Sequence, residues 1–209
     1  MNAATFSERV EQSMATELDR LGSQQSLVAL TDATLDAETV LRAAAQSERL
    51  ASETFGEWAD SEDDAEASDA FAALARQESD HFDRVVAELD DFEPTDETDS
   101  MHEHLRGLDA TVERAAGLVG RSLVADRTQL QVVNFFVNDA DERRADLFRG
   151  LRADTQDGVE TGVELLAGRC DADDDWERAR ETAEETIRVA YDAYAETLTG
   201  MGLDPKPIC

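Results

Sequence analysis

The sequence has very little basic charge, proline or cysteine. Its 209 residues include 19 Lys and Arg against 49 Asp and Glu, which gives a formal net charge of −30, and Lys206 is the only lysine. Because binding to phosphate backbones requires a basic surface, we expect no direct nucleic-acid binding. The two cysteines, Cys170 and Cys209, form no CxxC pair, which argues against a disulfide framework.

Long apolar runs are also missing. No run approaches the roughly 20 residues that cross a bilayer, and the N-terminus shows no basic stretch followed by an apolar one. We therefore expect a cytoplasmic protein with no membrane association. The acidic residues are spread along every segment, which is typical of proteins that work in molar salt, where a Debye length of about 3 Å screens their mutual repulsion.

The scarcity of proline and the abundance of Ala, Leu, Glu and Arg predict an all-α fold. We expect one domain in three parts: an N-terminal helix and connector (1–34), an antiparallel four-helix bundle (35–150), and a C-terminal helical extension packed on the bundle (151–209). The acidic residues 60–64 predict the first turn of the bundle, and capping residues within 126–128 predict the last. Residues 91–100, with Pro94, predict the crossover between the two halves.

The helix predicted over residues 71–89 carries two polar residues in its apolar stripe. Phe71, Leu74, Val85 and Leu89 form the stripe, and Glu78 and His81 fill its gap. A Glu-x-x-His on an inner helix face is the ligand pair of dinuclear four-helix bundles. These ligands suit iron, manganese or zinc. The residues leave open the alternative that such a pair arises by chance on a charge-rich helix.

Hairpin geometry relates these residues to three further glutamates, because residues at equal height lie equally far from the turn. Glu48 interrupts the stripe of the preceding helix, and its midpoint with Glu78 lies within residues 60–64. The midpoint of Glu113 and Glu142 lies within 126–128. We therefore expect two pairs of facing carboxylates. The second half departs from the first, because Ala145 stands where a second histidine would follow Glu142.

The order Glu48, Glu78-x-x-His81, Glu113, Glu142 resembles the rubrerythrin-like branch of the ferritin-like superfamily. The segments 123–138 and 202–209 are similar to rubrerythrin-related proteins of salt-loving archaea. The resemblance implies a di-iron site, with Glu48, Glu78, His81, Glu113 and Glu142 as ligands, that reduces peroxide or oxygen. The chain lacks the CxxC pairs of a rubredoxin module, so such an enzyme would need an external electron donor.

Three functions stay open. The first is a metal-dependent oxidoreductase, and the second is metal binding or storage without turnover, because one imidazole is missing at Ala145. The third is a metal-free helical bundle that acts as an adaptor or regulator, since some of the similar archaeal proteins carry a transcription-related label. Pairing of Glu48 and Glu78 with Arg49, Arg114 or Arg143 would favour the third. The oligomeric state is also open, a homodimer included.

Other polar residues lead to weaker expectations. His102 and His104 lie two apart, so they do not share a helix face, and we expect an exposed, non-functional pair. Three residues near Glu142 are candidate hydrogen-bond partners for the metal ligands: Asn134, Asn138 and Asp141. We expect Cys170 to be a partly exposed structural thiol, and Cys209 could form an intermolecular disulfide.

Overall fold

The computed structural model describes residues 2–205, and all regular structure in that range is α-helical, which confirms the predicted fold class. No helix in it is long and apolar enough to cross a membrane. The helices are α1 (Ala3–Ser13), α2 (Ala15–Leu21), α3 (Gln25–Leu30), α4 (Ala37–Ser61), α5 (Ala65–Val86), α6 (Ser100–Arg106), α7 (Thr111–Asn138), α8 (Glu142–Ala167) and α9 (Asp173–Gly200).

The hairpins α4–α5 and α7–α8 are the main helix pairs of the fold, and α9 packs along α7. Aspartates cap three of these helices, because the side chains of Asp36, Asp64 and Asp141 accept hydrogen bonds from backbone N–H groups in the first turns of α4, α5 and α8. Such caps satisfy N–H groups that have no partner inside the helix. The first hairpin turn therefore lies within residues 60–64, as predicted.

The second hairpin turn lies elsewhere than predicted. Helix α7 is unbroken through residues 126–128, and the chain turns at 139–141, where Ala140 has a φ of 58°. Asp126 caps no helix; Gln156 donates to its carboxylate at 2.7 Å, and Arg152 lies 2.9 Å from it. Residues 151–167 therefore continue α8, and position 150, where we expected the bundle to end, lies inside that helix.

The α7 helix contacts both of its neighbours closely. A Cβ atom at Gly120 would lie 2.6 Å from the Ala183 carbonyl oxygen of α9, and one at Gly162 of α8 would lie 2.9 Å from the Ala115 carbonyl oxygen of α7. Real Cβ atoms do not approach backbone oxygens so closely. Glycine at both positions therefore allows the three helices to pack at this spacing.

The apolar interior is divided into two clusters, and α4, α5, α7 and α8 each contribute to both. On α4, Ala44 belongs to one cluster and Ala51 to the other, with Glu48 between them. On α5, Leu74 and Val85 lie on either side of Glu78 and His81 in the same way. A layer of buried polar side chains therefore crosses the molecule between two apolar regions.

Candidate metal centre

Three side chains from α4 and α5 form the centre of this polar layer. Glu48 is 3%, Glu78 2% and His81 1% exposed. One ligand atom from each lies within 4.8 Å of the others, and no other acidic, histidine or cysteine group in residues 2–205 converges in this way. Because the α4–α5 turn lies where it was predicted, the two glutamates face each other across the hairpin. Buried carboxylates of this kind require a cation or hydrogen-bond donors.

The carboxylates of Glu48 and Glu78 differ in their hydrogen-bond partners. Arg121 Nη1 of α7 donates to Glu78 Oε1 at 2.7 Å, and the other oxygen of Glu78 lies 3.3 Å from His81 Nδ1. Gln129 Nε2 donates to Glu48 Oε1 at 3.3 Å. Glu48 Oε2 makes no hydrogen bond to any residue within 2–205, and its distance of 3.7 Å to His81 Nδ1 is too long for one.

Asp154 of α8 fixes the orientation of the imidazole. His81 Nε2 lies 3.0 Å from Asp154 Oδ2, so this nitrogen carries a hydrogen that it donates to the carboxylate. The other ring nitrogen, Nδ1, then faces Glu48 and Glu78. A histidine that ligates a metal through one nitrogen and donates the other N–H to a carboxylate is the usual arrangement in metalloproteins. The residues present therefore fit a metal ion at Nδ1.

Burial and neighbouring charges shift the acidities of the three groups in different directions. Burial, together with the charge of Glu78, raises the pKa of Glu48 to about 7. Burial opposes ionisation of Glu78 too, but the Arg121 charge and the His81 contact outweigh it and lower the pKa of that carboxyl. Burial disfavours the imidazolium of His81, yet the two glutamates outweigh this and raise its pKa to about 10. Without a cation, the site therefore holds protons.

The charges of the site match a divalent cation. Glu48, Glu78 and Asp154 are acidic and Arg121 is basic, so with a neutral His81 these side chains carry two net negative charges. A divalent ion at Nδ1 would bring the total to zero. In the metal-free site, protons on His81 and Glu48 would supply the same charge, so a metal ion must displace them.

The structure does not bring Glu113 and Glu142 to this centre. Glu113 lies in the first turn of α7 and accepts from the Ala110 N–H at 3.5 Å, whereas Glu142 begins α8, is 72% exposed and pairs with Arg149 at 3.4 Å. Because the turn is at 139–141, these glutamates lie at opposite ends of the α7–α8 hairpin, roughly 40 Å apart along its axis. The expectation that they face each other at one level is wrong.

Sequence reasoning missed three residues that complete the polar layer: Arg121, Gln129 and Asp154. The signal for Arg121 was a lone cation within a run of apolar and small residues, from Ala115 to Ala125. Gln129 and Asp154 carry no local signal, because their roles depend on the unbroken α7 and on its pairing with α8.

Several other expectations are also corrected. The proposed hydrogen-bond partners lie elsewhere: Asn134 and Asn138 are exposed, and Asp141 caps α8. The arginines named as candidate partners pair with other glutamates, Arg49 with Glu53, Arg114 with Glu62 and Arg143 with Glu88.

We expected His102 to be exposed, but its side chain is buried and only 1% exposed. Its Nδ1 lies 2.7 Å from Asp99 Oδ2. The neighbouring His104 is partly buried, and burial lowers its pKa. Cys170 is buried, contrary to expectation, and burial raises the pKa of its thiol to about 11. Cys209 lies outside the described residues.

Comparison of the chain with protein-family models, with curated proteins and with solved structures finds no match.

The donor set determines which metals suit the centre. One imidazole nitrogen and two carboxylate oxygens suit iron, manganese or zinc. The buried Glu48, Glu78 and His81 group can therefore hold a metal ion.

Proposed function

We propose that this chain binds one divalent transition-metal ion between Glu48, Glu78 and His81. The observation that carries the proposal is the convergence of three buried ligand atoms, one of which, Glu48 Oε2, has no hydrogen-bond donor among the described residues. Leaving such an oxygen unsatisfied costs about 1–3 kcal/mol or more. A metal ion at this point would satisfy it and would bind Nδ1 of His81.

Iron is the metal that the rubrerythrin resemblance implies, and manganese and zinc suit the same ligands. Asp154 would hold the His81 ring, Arg121 would hold Glu78, and Gln129 would hold Glu48. Three protein ligands leave a coordination position open, as in catalytic rather than structural sites. When bound, iron would supply the redox chemistry of peroxide or oxygen reduction, with electrons from an external donor. One metal replaces the expected pair, since Glu113 and Glu142 lie elsewhere.

A metal-free helical protein with an adaptor or regulatory role is the second candidate. The buried ion pair between Arg121 and Glu78 favours it, because it satisfies one carboxylate without a metal. Protonation of both Glu48 and His81, in the direction of their raised pKa values, would then balance the remaining charge.

Metal analysis separates the two candidates. Protein purified without chelators in molar KCl, which screens the surface charge, is titrated with Fe²⁺ under anaerobic conditions, and with Mn²⁺ and Zn²⁺. We expect one ion per chain and its loss in Glu48→Gln. Glu57→Gln, an exposed change on the same helix, serves as the control. Absence of binding by all three ions would contradict the proposal, and peroxide-dependent oxidation of the iron form tests turnover.

A further inference from the structure

A cavity of about 280 Å³ lies against the polar layer, lined mainly by residues of α3, α4, α7 and α9, with further residues from α2, α6 and α8. Its wall is mainly apolar, with Leu27, Val124 and Phe148 among its lining residues. Three of its hydroxyl groups, those of Ser26, Thr128 and Thr197, already donate to backbone carbonyls. The cavity is roughly twice the size of an engineered one, of about 150 Å³, that holds benzene, and it approaches the lower limit of about 300 Å³ for ligand pockets.

The polar layer meets the cavity at Glu48, Arg121 and Gln129, all of which line it. Each of these buried side chains has one atom without a hydrogen-bond partner in the described part of the chain: Glu48 Oε2, Arg121 Nε and Gln129 Oε1. Buried polar atoms are almost always satisfied in native proteins. With Glu48 Oε2 assigned to the metal ion, one unpaired acceptor, Gln129 Oε1, and one unpaired donor, Arg121 Nε, remain beside the apolar cavity and indicate a missing polar partner.

We infer that this cavity binds a mainly apolar small molecule whose single uncharged polar head group, a hydroxyl in the simplest case, lies at Glu48, Arg121 and Gln129. A hydroxyl donates one hydrogen bond and accepts others, so it matches both kinds of unpaired atom. A carboxylate head would offer no hydrogen to Gln129 Oε1 and would add a negative charge beside Glu48. The inference extends the proposed function, because it names the class of molecule that would lie beside a metal ligand.

Binding of n-octanol tests the inference, with octanoate and n-octylamine as probes of equal chain length. Isothermal titration in molar KCl is run on chelator-treated protein and on protein loaded with Zn²⁺. We expect n-octanol to bind at least about tenfold more tightly than octanoate, a difference of about 1.4 kcal/mol. Equal or tighter binding of octanoate, or tighter binding of n-octylamine, would overturn the assignment of an uncharged head group.

Filling the cavity provides a second test. Ala193→Phe places a large side chain in the α9 wall and should weaken n-octanol binding at least about tenfold while Zn²⁺ binding is kept, which also shows that the variant is folded. Ala73→Phe, at an exposed position of α5, is the matched control. Unchanged n-octanol binding in Ala193→Phe would place the ligand elsewhere and overturn the inference.

The two proposals fail in different ways. Zn²⁺ binding without n-octanol binding to either form of the parent protein would overturn this inference and leave the metal site standing. Binding of n-octanol without any metal binding would support the cavity assignment and contradict the proposed function. If neither binds, both proposals are wrong.

Discussion

His81 Nε2 lies 3.0 Å from Asp154 Oδ2, across the contact between α5 and α8. The histidine is buried, whereas the aspartate is partly exposed at the surface. This hydrogen bond determines which imidazole nitrogen faces Glu48 and Glu78. Asp154, a partly exposed residue of α8, therefore determines whether Nδ1 of the buried His81 can bind a metal ion.

We expect Asp154→Asn to weaken metal binding by about 10–100-fold, because the ring of His81 loses the carboxylate that fixes its orientation and raises its basicity. Competition with a fluorescent chelator measures the Kd for Zn²⁺. Asp157→Asn, an exposed change on the same helix, should leave it unchanged. An Asp154→Asn protein with the parent Kd would show that this hydrogen bond does not support a metal ligand.

Removing Arg121 should destabilise the metal-free protein strongly. Arg121→Met leaves Glu78 buried without its partner, which costs about 3–5 kcal/mol. Arg42→Met, which breaks only the exposed pair with Glu38, should cost no more than about 1 kcal/mol. Denaturant unfolding in molar KCl measures both values.

The same Arg121→Met variant distinguishes the two candidate functions. If a metal binds Glu78, saturating Mn²⁺ should recover part of the lost free energy of unfolding, since the cation replaces the missing charge. No recovery would favour the metal-free candidate.

Replacing Gly120 and Gly56 with alanine should change the stability of the protein in opposite directions. Gly120→Ala places a Cβ against the Ala183 carbonyl oxygen and should cost about 1–3 kcal/mol, because α7 and α9 must move apart. At Gly56 of α4 nothing lies within 4 Å of the added Cβ, so Gly56→Ala should stabilise the helix by about 0.5–1 kcal/mol. Thermal unfolding compares them, and a stabilising Gly120→Ala would contradict the close packing.

Cys170 should react slowly at mildly alkaline pH. Burial and nearby Asp175 raise the pKa of its thiol from 9.0 to about 11, so the reactive thiolate is scarce below that range. In a Cys209→Ser background, we expect alkylation at pH 9 to be much slower in folded than in denatured protein. Equal rates would show that the thiol is exposed.

The raised pKa of the Cys170 thiol also makes the free energy of unfolding depend on pH. Because the folded state holds the proton more tightly than the unfolded state, the contribution of Cys170 is fully present below pH 9 and is lost as the pH rises towards 11. Cys170→Ala should therefore lose less stability over this interval than the parent. An identical decline in both proteins would contradict the raised pKa.

Local sequence signals were sufficient for the first half of the chain and insufficient for the second. The apolar stripes of α4 and α5 and the acidic turn at residues 60–64 placed Glu48 opposite Glu78. In the second half, Asp126 and Thr128 look like caps, but the apolar pattern continues past them to Phe136, and Asp126 is satisfied by Gln156 from α8. Contacts so distant in sequence leave no local pattern, which is why Gln129 and Asp154 were not predicted as part of the site.

The charged layer between the two apolar clusters also restricts how the long helices can align. If α5 slid along α4 by one turn, Glu78 would leave Arg121 and meet hydrocarbon, and His81 would lose Asp154. Each misaligned arrangement would leave a charged side chain without an oppositely charged partner in the apolar interior. The layer therefore disfavours misaligned arrangements of α4, α5, α7 and α8.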